Sequence, residues 1–107
     1  MKTLFANVGE VDQQRIQSGQ LYHEFLRVPT MSAGLYVLAA GATDAQAPHH
    51  EDEIYYVLHG KARFKAGDGD QEISAGSVLF VAAEVEHRFY NITEELALLV
   101  FFAPAES

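Results

Sequence analysis

The segment APHHEDEIYYVLHG, Ala47 to Gly60, sets five ionisable residues, His49, His50, Glu51, Asp52 and Glu53, directly against Ile54-Tyr55-Tyr56-Val57-Leu58. The apolar part has the length and the aromatic content of a buried or half-buried strand. Successive side chains of an extended chain alternate, so residues 49, 51 and 53 project to one side, and His49 and Glu53 can face one interior point with Glu51 between them at the turn. Tyr55 and Val57 share that parity and line a cavity or the core, whereas Tyr56 and Leu58 pack on the opposite face. His50 lies one residue off the parity and is expected to point away from His49. Glu51 and Asp52 read as solvated rim charges. The polar run is either a hydrated turn or the rim of a metal site, and the rest of the chain has to decide between them.

Outward from this segment the chain consists mostly of short apolar runs separated by turn residues. Leu21 to Val28, Gly34 to Ala40, Ile54 to His59, Lys61 to Ala66, Ser77 to Val81, His87 to Asn91 and Leu96 to Ala103 each have strand length, and Thr3 to Val8 is a possible eighth. In KARFKAGDGDQEIS, Lys61, Arg63 and Lys65 alternate with Ala62, Phe64 and Ala66 ahead of a Gly67-Asp68-Gly69 turn, which predicts a hairpin with one wet and one packed face. His59-Gly60 reads as a second hairpin turn. Only Glu10 to Gln17 looks helical. Many short strands at regular turn spacing, without crossover helices, predict an all-β fold, a small antiparallel barrel or jelly roll, with residues 1–107 as a single domain.

Composition narrows the function. Fifteen acidic against seven basic residues give a net charge of −8, which repels a phosphate backbone, so no nucleic-acid partner is expected. The absence of cysteine removes disulfides, thiolate metal sites and cysteine nucleophiles together, so any metal binds through nitrogen and oxygen. The apolar start of MKTLFANV ends at Asn7 and Gly9-Glu10, short of a signal h-region or a membrane span, and the expectation is a soluble, cytoplasmic protein with no membrane partner.

The spacing Gly41, Ala47, His49, Glu53, Gly60 resembles the first motif of the cupin superfamily, G-x5-H-x-H-x3,4-E-x6-G, at every position except the first histidine, which is Ala47. The segment GSVLFVAAEVEHRFYN, Gly76 to Asn91, resembles the second motif, G-x5-P-x-G-x2-H-x3-N, with Ala82 in place of the proline and Glu84 in place of the turn glycine. The resemblance covers about half of the chain and implies a small single-domain cupin barrel. The family's four ligands would fall on residues 47, 49, 53 and 87. Since Ala47 cannot ligate, the implied metal site is His49, Glu53 and His87, unless His50 or Glu51 swings in. Glutamate at position 84, where glycine would allow a positive φ, predicts a different turn.

Two imidazoles and a carboxylate suit one divalent transition ion, iron first, with manganese, nickel, cobalt or zinc as alternatives, and leave coordination positions open. The expected activity is that of a mononuclear non-haem dioxygenase-type enzyme acting on a small organic molecule. The competing class is a non-catalytic small-ligand-binding or sensor module on the same cavity. Tyr55, Asn91 or His23 would supply hydrogen bonds around the site. His87 shares inward parity with Phe89 and Asn91, and its other reading is a hydrogen-bonded core histidine. His23 enters the barrel mouth or lies on the surface. His59 is expected to be exposed. Lys61, Arg63 and Lys65 form an anion site or, more simply, a solvated strand face. Leu96 to Phe102 is apolar on both parities and wants cover on both faces, which predicts a homodimer to which Thr3 to Val8 adds a strand.

Overall fold

The structure, a computed structural model, describes residues 3–107. Thr3 to Asn7 take no regular structure, and Val8 opens a helix, α1 (Val8–Ser18), so the expected N-terminal strand does not form. The reason is local. The Asn7 side chain caps the helix by accepting from the Gly9 N–H, and Gly19 ends it in the left-handed conformation. The strands that follow are β1 (Tyr22–Val28), β2 (Met31–Leu38), β3 (Asp52–Ala66), β4 (Gly69–Ser74), β5 (Val78–Val81) and β6 (His87–Ala103).

All pairings are antiparallel, in the order β1-β2-β6-β3-β4, with β5 added to the free side of the first half of β3. The all-β barrel expectation therefore holds, and the predicted hairpin closes at Gly67 between β3 and β4. Two expected breaks are absent. His59-Gly60 is no hairpin turn but the middle of β3, and His87–Asn91 and Leu96–Ala103 are two halves of β6. These long strands pair from end to end, through register shifts around His59 and Lys61. Gly60 makes the crease possible. Its φ is +106°, and a Cβ there would overlap the Glu95 carbonyl oxygen of β6.

Each crease flips the inward parity. In β3 the buried set runs Glu53, Tyr55, Val57 and then Ala62, Phe64; in β6 it runs His87, Phe89 and then Ile92, Leu96, Leu98, Val100, Phe102. Asn91 takes up the shift in β6 with a φ of +49° and is exposed, so it does not point inward as the alternation predicted. The rolled sheet encloses one main core built on Tyr55, Val57, Phe64, Phe89, Leu96 and Leu98. A smaller cluster on the outer side, Val11 of α1 with Leu35, Val37 and Ala97, covers part of the second face of β6. The same outer face continues uncovered over Ile54, Tyr56, Val78 and Phe80, which pair across β3 and β5.

Candidate metal centre

Strand β3 begins where the polar run ends, and the alternation that buries Tyr55 and Val57 also buries Glu53, which is 2% exposed. On β6, His87 opens the inward series with its side chain fully covered. His49 precedes β3 in an irregular segment and reaches in from the rim. The three expected residues come together: one ligand atom from each of His49, Glu53 and His87 lies within 4.8 Å of the others. His87 Nε2 is 2.8 Å and His49 Nε2 3.9 Å from Glu53 Oε1.

The donor set fits a divalent ion. Neither carboxylate oxygen of the buried Glu53 has a hydrogen-bond partner of good geometry, despite the short approach of His87. An unpaired buried carboxylate is costly, and a cation between it and the two imidazoles removes that cost. Each imidazole, in addition, has its far nitrogen against an oxygen. His87 Nδ1 is 2.9 Å from the Val85 carbonyl, and His49 Nδ1 is 3.2 Å from Glu106 Oε2. Such contacts fix the tautomer that turns Nε2 toward a metal. Burial pushes His87 toward the neutral form, but the Glu53 carboxylate and the Val85 carbonyl outweigh it and hold its pKa above the ordinary value. Tyr55, whose hydroxyl lies 3.0 Å from His87 Nε2, is driven well above the usual phenol range by burial and by Glu53.

Several expectations need correction. Glu51 is not a solvated rim charge but 5% exposed, because the chain after β6 folds back over it and the Ser107 N–H donates to its Oε2. Asp52 does lie exposed at the rim, where it accepts from the Ala83 N–H. His23 turns to the outer side and meets Gln14 of α1, and its neighbour Tyr22 takes the inward place against Gly34, whose missing side chain makes room for the ring. The turn at Glu84 keeps the positive φ of a glycine, +69°, instead of changing form. Its N–H donates to the His49 carbonyl and its carboxylate pairs with His50, contacts that offset a backbone cost of about 1 kcal/mol. His50 thus points outward and His59 is exposed, both as expected. On the strand face Lys61 pairs with Glu94, and Arg63 with Asp70 and Glu72.

Four residues around the centre escaped the sequence reading: Gln46, Asp44, Tyr36 and Glu106. Gln46 Oε1 lies 3.1 Å from His49 Nε2, and Asp44, 6% exposed, accepts from Tyr36, Gln46 and the Phe89 N–H. All but Tyr36 sit in irregular segments, where no periodicity marks an inward side chain. Beside the centre opens a cavity of about 190 Å³, walled by Tyr22, Tyr36, Tyr55, Val100 and Phe102, with Gln46, His49 and Glu106 as its other polar contributors. Among the described residues no lysine or arginine lines it. The Tyr22 hydroxyl is buried there without a partner.

A family model described as a cupin domain matches residues 34–103. An uncharacterized protein of Streptomyces coelicolor is 44% identical over 98 residues, covering 92% of this chain and 93% of that one. Among solved structures, TT1209 of Thermus thermophilus superposes with a TM-score of 0.75 at 19% identity, covering 96% of this chain and 99% of its own. An RmlC-like cupin of Shewanella frigidimarina gives 0.72 at 20% identity, with 78% and 75% covered. At these identities the two structures speak for the fold alone.

Proposed function

This chain belongs to the cupin family, and we propose that it is a mononuclear metal-dependent enzyme of the dioxygenase type that acts on a small organic molecule in the cytoplasm. The observation that carries the reading is Glu53, a buried carboxylate without a hydrogen bond of good geometry among the described residues, facing two imidazoles whose other nitrogens are already held. His49, Glu53 and His87 would hold the ion, iron by preference. Bound there, such an ion supplies a Lewis-acidic centre with open positions and, as iron, redox chemistry with dioxygen.

The chain's own residues then account for the rest. The aromatic walls exclude water and stack against a flat or apolar molecule, and about 190 Å³ restricts it to small size. The Tyr22 hydroxyl, buried without a hydrogen-bond partner among the described residues, offers a hydrogen bond that would orient a substrate oxygen, while Tyr55, kept protonated by its surroundings, donates to Gln46 Oε1.

Elemental analysis of untagged protein, followed by oxygen uptake with catechols, diketones and thiols, tests the reading. One equivalent of transition metal that is lost in His87→Ala, together with substrate-dependent uptake, is the expected result. Metal without turnover on any compound would move the protein to the class of ligand-binding modules, and no metal at all would sink the site.

A homodimer belongs to the same proposal. Val78 and Phe80 are 67% and 64% exposed and, with Ile54 and Tyr56, form a flat apolar sheet face that α1 does not reach. A second copy of that face is a complementary cover. Sedimentation at micromolar concentration should give twice the mass of one chain, and Phe80→Glu should halve it. A monomeric wild type would refute the assembly and leave the metal reading untouched.

A further inference from the structure

Building on the metal reading above, we propose that Gln46 Oε1 is the fourth protein ligand, in place of the side chain that Ala47 lacks. Ala47 itself is exposed. One residue earlier the chain turns Gln46 inward, with Oε1 3.1 Å from His49 Nε2 and 3.1 Å from the Tyr55 hydroxyl, which is in turn 3.0 Å from His87 Nε2. Two donors bound about 2.1 Å from one ion at right angles lie about 3 Å apart. Gln46 Oε1 and His49 Nε2 already have that spacing.

The amide cannot present its nitrogen instead. Gln46 Nε2 donates to Asp44 Oδ2 at 2.8 Å, and Asp44 is a buried carboxylate that also accepts from the Tyr36 hydroxyl at 2.7 Å and the Phe89 N–H at 2.9 Å. With its nitrogen committed, the amide turns its oxygen to the centre. Asp44 is therefore a positioning residue, not a ligand.

The surroundings of His49 point the same way. Its Nδ1 faces Glu106 Oε2 and its Nε2 faces Gln46 Oε1, and both of these oxygens can only accept. A neutral imidazole has one N–H. Given to Glu106, it leaves the Nε2 lone pair set against an amide oxygen lone pair, a repulsion that a cation between the two turns into attraction. The Gln46 carbonyl has two lone pairs, one of which takes the Tyr55 O–H while the other is free for the ion. Tyr55 keeps its proton and stays a donor, not a phenolate ligand.

The test uses cobalt(II), whose visible bands report the number and kind of its ligands, with untagged full-length protein. Wild type, Gln46→Leu, Gln46→Glu and Asp44→Asn are titrated with the ion, and the thermal melt of each metal-free variant is recorded alongside. Gln46→Leu should weaken binding on the order of 100-fold, the upper end of what disturbing an outer contact costs, and should shift the bands. Gln46→Glu adds a charge to the ligand oxygen but loses the N–H that Asp44 accepts, so its bands should shift, while Asp44→Asn should weaken binding about tenfold. Unchanged affinity and unchanged bands in Gln46→Leu, or in Gln46→Glu if the leucine variant does not fold, would overturn the ligand assignment while the metal reading stands. A wild type that takes up no cobalt would overturn both.

Discussion

His49 and His87 offer the same imidazole to the same point, but the molecule holds them in unlike ways. His87 lies on a strand, its ring is enclosed, and its far nitrogen rests on the main-chain carbonyl of Val85, two residues away. His49 comes from an irregular segment, is partly open, and is fixed by Glu106 beyond the end of β6 and by Gln46 at the rim. A backbone carbonyl cannot be removed by substitution, whereas two side chains can. One histidine is thus built into the barrel, and the other is assembled from three stretches of chain that must dock together. Metal affinity should be tuned through His49 and destroyed through His87.

The largest effect expected is at the built-in side. His87→Ala should abolish stoichiometric metal and, in the metal-free protein, cost about 3 kcal/mol in chemical denaturation, because Glu53 is left as a buried charge with no partner. Loss of metal without loss of stability would mean that Glu53 relaxes to solvent. Next comes the assembled side. Glu106→Ala should weaken binding about tenfold while Glu106→Gln, which still accepts from Nδ1, stays near wild type. Nitrogen-15 shifts of the two rings distinguish the mechanism: the His49 tautomer should loosen in Glu106→Ala and that of His87 should not.

A pH series sharpens the contrast further. The pKa of His87 is raised in the folded chain, so its contribution to metal-free stability is complete below the unfolded value of about 6.5 and is lost as pH rises through the higher folded value. Metal binding runs the other way, since the ion needs the deprotonated ring, and affinity should fall as pH drops through that same raised value. Denaturation midpoints and zinc competition titrations between pH 5.5 and about 8.5 would show the two trends crossing. Parallel trends would locate the titrating group elsewhere. The smallest effects are expected for His50→Ala and His59→Ala, both exposed, whose metal content should equal wild type by elemental analysis.

The same contrast explains which parts of the site could be read from the sequence. His49, Glu53 and His87 were legible because motif spacing and strand alternation are enforced by geometry over short distances. Alternation carried straight through Asn91 points it inward, but its positive φ breaks the period, and the glycine at 60 reads as a turn where the long strand only creases. The barrel as a class survived these errors, since a creased long strand and two short strands bury the same residues. Gln46, Asp44 and Glu106 act from segments without period, and only the closing of the fold brings them to the centre. Glu51 reads as solvated in the sequence because the return of the chain after Ala103, which buries it, leaves no mark on residues around 51.

The crease at Gly60 has a consequence for the order in which the chain closes. Pairing of β3 with β6 runs from Ala66 opposite His87, the partners nearest in sequence, to Asp52 opposite Ala103, the most distant. The shorter loop costs less entropy to close, so the ladder zips from the His87 end and reaches Glu53 last. Folded back on itself, the ladder sets its final rung against its first. An ion held by Glu53 and His87 would therefore latch the last contact made to the first, and its loading is expected to register chiefly as a slower rate of opening in unfolding kinetics, with the rate of folding little changed.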